Sequence, residues 1–223
     1  MNPKYLSFAA PVIFAALMAS AVGSAHASSI TYNGNVTNGV YFGTGNVNGG
    51  WTIATNQGYE LALRAKSYNG AVITPEAGTG VYDTWAGEYG SGSHPTRPIW
   101  NWEFSIDNLN SNGTLSGLTA SMTILNTATG FTSAPFDLLS IGDNYHLGSE
   151  GAQNSESLVY GFLPGFNALV ADSYVFSVSL NDGNGQLVSD SITVNAVPEP
   201  GTMAILVAGL VGMFGLQIVR RRA

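Results

Sequence analysis

The middle of this chain predicts an all-β fold, an antiparallel β-sandwich or jelly-roll-like single domain, and three observations carry that reading. Between Ser28 and Ala196 apolar residues recur with period two. Asn-Gly and Asp-Gly pairs punctuate those runs, and no segment sustains the apolar stripe of an amphipathic helix. A strand with one face buried and one wet gives that alternation, as antiparallel sheets do. The Asn-Gly and Asp-Gly residues accept the positive φ of tight hairpin turns.

In chain order, Met1–Ala27 predicts a signal peptide. Lys4 supplies the positive start, Leu6–Ala21 the apolar stretch, and Ala25-His26-Ala27 a small-x-small cleavage site that leaves Ser28 as the new N-terminus. Residues 28–196 then make one domain of 169 residues, long enough for a proper core. The first strand-like run is Gly50–Thr55. In Tyr59–Lys66, Tyr59, Leu61, Leu63 and Ala65 face one way, and Glu60, Arg64 and Lys66 the other, toward water. A long stretch without clear pattern, Tyr68–Pro98, holds a short strand at Val81–Trp85. Ile99–Ile106 sets Trp100, Trp102, Phe104 and Ile106 against Asn101, Glu103 and Ser105. Leu118–Leu125 follows, then a second patternless stretch, Asn126–Ser157, with an apolar piece at Phe136–Ile141. Leu158–Leu163, Ser173–Leu180 and Leu187–Asn195 complete the predicted strands. Turns are expected at Asn33-Gly34, Asn38-Gly39, Asn48-Gly49, Asn69-Gly70, Asn112-Gly113 and Asp182-Gly183.

Composition narrows the function. Arg64, Lys66 and Arg97 stand against thirteen carboxylates in residues 28–196, leaving the domain at −10. Such a surface repels nucleic acid and anionic lipid, so nucleic-acid binding is set aside. The chain has no cysteine, so an exported domain must stand on its core alone, and thiol chemistry is excluded.

The C-terminal 27 residues, 197–223, form a third unit. Val197-Pro198-Glu199-Pro200-Gly201 leads into an apolar run, Met203–Val219, of 17 residues with one polar member, Gln217. As a helix that run spans roughly 26 Å, close to a bilayer's hydrocarbon thickness. Arg220, Arg221 and Arg222 fix its orientation, with the C-terminus cytoplasmic and the domain outside. Pro198 and Pro200 keep the preceding segment extended.

The order Val197-Pro198-Glu199-Pro200, short apolar helix, arginine cluster resembles the PEP-CTERM sorting signal of Gram-negative bacteria. The resemblance implies an exosortase-type membrane transpeptidase as partner, acting at the Pro-Glu-Pro segment. It also implies an inner-membrane intermediate, a final place at the cell surface or in the extracellular matrix, and an association with extracellular polysaccharide and biofilm. The runs Phe42–Trp51 and Gly58–Lys66, with Phe162-Leu163-Pro164-Gly165-Phe166, are similar to an uncharacterised β-rich group of such proteins, and imply shared architecture without an assigned activity.

Chemistry-bearing groups are sparse. Tyr82, Trp85 and Tyr89 form a candidate glycan platform in a Gly-rich loop, with Asp83 and Glu88 to bond hydroxyls. A glycosidase pair would need two acids across a cleft, and Glu103 with Glu60 or Glu88 is the pairing available. Only His94 and His146 remain for a Ser-His-Asp triad, and no Gly-x-Ser-x-Gly elbow surrounds a serine. The two histidines lack ligand spacing, and Asn181–Gly185 reads as a turn before a calcium loop, so no metal and no cofactor are expected. The expectation is a non-enzymatic structural or adhesive exported protein. A carbohydrate-binding module is the alternative, and an envelope glycan hydrolase a remote third.

Overall fold

A computed structural model describes residues 28–41, 46–68, 70–90, 96–141, 145–147, 150–199 and 201. The signal peptide with Ala25 and Ala27, Pro200, the apolar run and Arg220–Arg222 lie outside the described residues, as does His94. Ser28 is described and precedes the first strand.

The described strands are β1 (Ser29–Gly34), β2 (Trp51–Asn56), β3 (Tyr59–Ser67), β4 (Val81–Ala86), β5 (Trp100–Asn108), β6 (Thr119–Asn126), β7 (Phe136–Asp137), β8 (Tyr145–Leu147), β9 (Gly151–Glu156), β10 (Asp172–Asn181) and β11 (Gln186–Pro198). They form one sheet in the order β1-β2-β3-β5-β9-β8 and a second in the order β4-β11-β10-β6-β7. Every pairing is antiparallel except β4 with β11. Among the described residues, 28–199 are built on β-strands in two sheets, the all-β class predicted for this part of the chain.

The core lies between them and follows the predicted phase. Leu61 and Leu63 of β3 and Trp100, Trp102, Phe104 and Ile106 of β5 meet Tyr174, Phe176 and Val178 of β10 and Ile192 and Val194 of β11. Trp102 lies with its ring centroid 5.5 Å from that of Phe176, within the range where aromatic pairs add to plain burial.

The β2–β3 hairpin turns on Gln57-Gly58, with φ of 52° and 79°. That is a two-residue turn whose backbone matches the twist of its strands. Gly58 also packs against the Asn110 side chain, leaving no room for a Cβ. Gly58→Ala is expected to cost about 1–2 kcal/mol from the left-handed backbone alone, checked by urea unfolding.

Four sequence expectations change. Leu158–Leu163 is not a strand. Leu158–Tyr160 form a single 3-10 turn ended by Gly161 at φ 91°, and Leu158 and Leu163 are anchored in the core from irregular backbone. The edge strand β1 and the interior strand β9 were not anticipated: one is exposed along almost its whole length and the other is Gln, Asn and Ser in composition. The outward face of β3 and β5 is not wet. Residues 35–41 and 46–50 lie over it, and Glu60, Arg64, Glu103, Ser105 and Asp107 are all buried there.

That buried polar layer is closely bonded. Arg64 donates through Nε to Glu103 at 2.6 Å and through Nη1 to the carbonyls of Val47 and Gly49. Its guanidinium lies 4.1 Å from the ring centre of Trp51. Thr37 donates from both its amide and its hydroxyl to the Glu60 carboxylate. Gln153 of β9 donates to the Gly39 carbonyl and accepts from the Tyr41 amide. The covering segment is thus held by side chains that the alternation places on the outward face.

Candidate functional site at the chain exit

The third unit begins inside the fold. β11 is extended because Val188, Ile192, Val194 and Ala196 point inward at every second position. β10 pairs with it only as far as Ala196, opposite Asp172. β4 continues further, in parallel register, matching Val197 to Trp85 and Pro198 to Ala86. Val197 and Pro198 are therefore strand residues held on one side only. Proline lacks the amide proton a central strand needs, and this half-paired position tolerates it.

Side chains fasten the same end. Asn195 donates to Asp83 of β4 at 2.9 Å. Ile99 donates its amide to the Gly87 carbonyl, and Tyr89 donates its own to Arg97. The Glu199 side chain comes up against Gly87, where an added Cβ would stand 3.4 Å from Oε1. Val197, Pro198 and Glu199 are exposed, so the described part of the motif is accessible on the folded domain.

The predicted glycan platform is only partly assembled. Tyr82 is fully buried, which corrects its placement in the platform: its hydroxyl donates to the Gly50 carbonyl and bonds Thr52 Oγ1. The reason is phase, since Tyr82 and Thr84 are the inward members of β4 and Asp83 and Trp85 the outward ones. Trp85 and Tyr89 are exposed, as is Glu88. Tyr89 meets Tyr68 edge-on at 4.7 Å, and Arg97 lies over the rings of both Tyr68 and Tyr160. Tyr68, Arg97 and Tyr160 were not among the predicted site residues. They are distant in sequence, and only the fold brings them together.

The acids do not gather in a cleft. Glu103 is committed to Arg64, with Lys66 at 3.9 Å, and Glu60 to Thr37. Asp107, opposite Glu60 across β3 and β5, is buried with neither oxygen well bonded; burial first, then Glu60, pushes its pKa up to about 6. Glu156 of β9 rises to about 7 through burial, partly offset by Arg97. In the Asn181–Gly185 turn, Asp182 Oδ1 accepts from the amides of Asn184 and Gly185, and those bonds hold its pKa below the ordinary range. Among the described residues no group of three or more His, Asp or Glu is arranged around a metal. For His146 only the strand position in β8 is described.

A cavity of about 480 Å³ lies elsewhere, over the smaller sheet, where Ile30 of β1 and residues of β6, β10 and β11 such as Ser121, Ser177, Val178 and Ser191 line it. None of the predicted site residues lines it.

The exposed end, the extended exit and the one-sided pairing define a two-sheet domain that hands its last strand to a C-terminal signal. A family model described as the PEP-CTERM protein-sorting motif matches residues 196–222. The chain carries that motif, and the motif implies an exported protein processed by an exosortase. No curated protein and no solved structure matches the chain. Among the described residues no helix is long and apolar enough to cross a membrane; the predicted span, Met203–Val219, lies outside them.

Proposed function

We propose that residues 28–196 form a non-enzymatic structural or adhesive component of the cell surface or extracellular matrix. It is exported by a cleaved signal peptide, held in the inner membrane by Met203–Val219, and released when an exosortase acts at Val197–Pro200. The observation that carries this reading is the sorting motif at residues 196–222, continuous with β11, with Val197–Glu199 exposed and Val197–Pro198 in the strand. A peptidase or transpeptidase takes its substrate as an extended strand, and half-paired Val197–Pro198 already has that form.

Replacing Pro198, Glu199 and Pro200 together by alanine is expected to trap full-length protein in the inner membrane with the domain folded. Fractionation and intact mass decide it. Release as efficient as wild type, or wild-type protein that keeps Arg220–Arg222 at its final location, overturns the sorting reading.

A second reading rests on the exposed pair Trp85 and Tyr89 with Glu88 beside them. Aromatic faces of this kind stack on sugar rings, so the released domain would bind extracellular polysaccharide through this edge. Binding to a glycan array that Trp85→Ala abolishes favours it over a purely structural role.

A further inference from the structure

Several exposed apolar and aromatic side chains lie at the end of the domain from which the chain leaves, while others, such as Ile30, Val47 and Leu109, are exposed elsewhere. Trp85 is 44% exposed beside Val197 at 38%, its register partner in the motif. Leu169 and Val170, 63% and 52% exposed, precede β10, whose first residue pairs with Ala196. Tyr89 and Tyr160 are exposed and are linked through Tyr68 and Arg97, the cation lying over Tyr68 and Tyr160 alike. Six large apolar or aromatic side chains from four chain segments thus surround one exit point.

The tether is short. Between Pro198, the last residue of β11, and Met203, the first of the apolar run, lie four residues, 199–202. A step from 198 to 203 covers at most about 17 Å when fully extended. The headgroup region of each leaflet is only about 5–8 Å thick. With the run inserted, that reach holds the exit end within roughly 12 Å of the headgroup layer and lets it rest there. Trp and Tyr beside a cation, with neighbouring aliphatic side chains, match the chemistry of that layer.

We infer that the exit end, centred on Trp85, Tyr89, Tyr160, Leu169, Val170 and Val197, is a bilayer-contact surface that rests on the membrane holding the chain's own C-terminal span. The inference rests on the reading of Met203–Val219 as that span. The contact belongs to the anchored state. The domain's charge of −10 opposes free binding to anionic lipid, so cutting the tether at the motif also ends the contact. Processing and release from the surface then become one event. While the contact lasts, Val197 and Pro198 lie at the depth where an enzyme embedded in the bilayer reaches them.

The molecule supplies its own probe. Of its four tryptophans, Trp51, Trp100 and Trp102 are buried and Trp85 is exposed. The full-length chain is reconstituted in phosphatidylethanolamine–phosphatidylglycerol vesicles carrying a doxyl quencher at headgroup depth. Emission that depends on Trp85 is expected to fall roughly twofold, as for an interfacial tryptophan. Trp85→Phe, a surface change, should leave emission that the quencher does not touch. Processed domain added to the same vesicles should show no quenching.

Trp85 left open to aqueous acrylamide and unquenched by lipid, in protein that floats with the vesicles and resists carbonate extraction, overturns the contact and leaves the span intact. Trp85 shielded from both quenchers means that protein covers this end, and overturns it as well. A chain that carbonate strips from the vesicles removes the span and the contact together.

Discussion

Arg64→Ala is expected to destabilise the mature domain by at least about 3–5 kcal/mol, the cost of leaving one member of a buried ion pair without the other. Arg64 is fully buried and Glu103 nearly so, and among the described residues the cation left near the stranded carboxylate is Lys66, at 3.9 Å. Burial pulls the Arg64 pKa down, while the charge of Glu103 and its hydrogen bond hold it up. The loss spreads beyond the pair. The Val47 and Gly49 carbonyls lose their donor, and Trp51 loses the cation on its ring. Val47 is exposed and Gly49 half-buried, so water can reach these carbonyls and each adds less than the about 1–3 kcal/mol of a fully buried unbonded group. Urea unfolding measures the total. The double change Arg64→Leu with Glu103→Leu should recover much of it, because two apolar groups leave no uncompensated charge. A single-variant loss below about 1 kcal/mol would place this layer in contact with water, where ion pairs contribute that little.

That layer also shows where the sequence stopped being readable. Alternation in Tyr59–Lys66 and Ile99–Ile106 gave the strands, their phase and the core face containing Leu61, Leu63, Trp102 and Phe104. It could not show that a second layer covers the other face, because polar residues satisfied by a covering segment look the same as polar residues satisfied by water. A signal was present in the residues matched across the strands: Arg64 stands opposite Glu103. The interior strand β9 escaped for the same reason. Gln153 is fully buried because Ser105, Gly39 and Tyr41 meet its amide, and apolar periodicity does not register a residue buried by hydrogen bonds.

At the exit, the linear signal was legible because a sorting motif is read along the chain. Val197-Pro198-Glu199-Pro200 needs no fold to be recognised, and the family match begins one residue earlier, at 196. The neighbours of that motif were not legible. β4 lies more than a hundred residues before β11 and pairs with it in parallel, a long-range contact that no local pattern encodes. Tyr82 shows the cost: grouped with Trp85 and Tyr89 by sequence distance, it faces the opposite side of the same strand.

Asp190 is expected to contribute most to the pH dependence of the fold, its pKa being raised furthest above the ordinary value among the described carboxyls. It occupies the inward phase of β11 between Val188 and Ile192, opposite Val178, and is 4% exposed. Its Oδ1 accepts from the Ser191 amide at 2.9 Å, and Oδ2 has no hydrogen-bond partner. Burial pushes its pKa up to about 7, against the opposing pull of the Ser191 and Leu63 backbone. A carboxyl whose pKa is raised by folding keeps its proton in the native state after the unfolded chain has released it. Its stabilising contribution is complete below about pH 4 and is lost as pH rises through about 7. Asp107 and Glu156, raised to about 6 and 7, tilt stability the same way. The domain is therefore expected to resist urea better at pH 4.5 than at pH 8. For Asp190 alone a shift of about three units corresponds to roughly 4 kcal/mol at 1.36 kcal/mol per unit. Asp190→Asn keeps the shape and removes the titration, so its loss of stability between the two pH values should be smaller than wild type's by about 3 kcal/mol, since part of the shift is already spent at pH 4.5. The amide's unbonded hydrogens offset its stability equally at both pH values, so the difference between pH values is the quantity to compare. A variant with an unchanged pH profile would show that Asp190 already carries its charge in the fold.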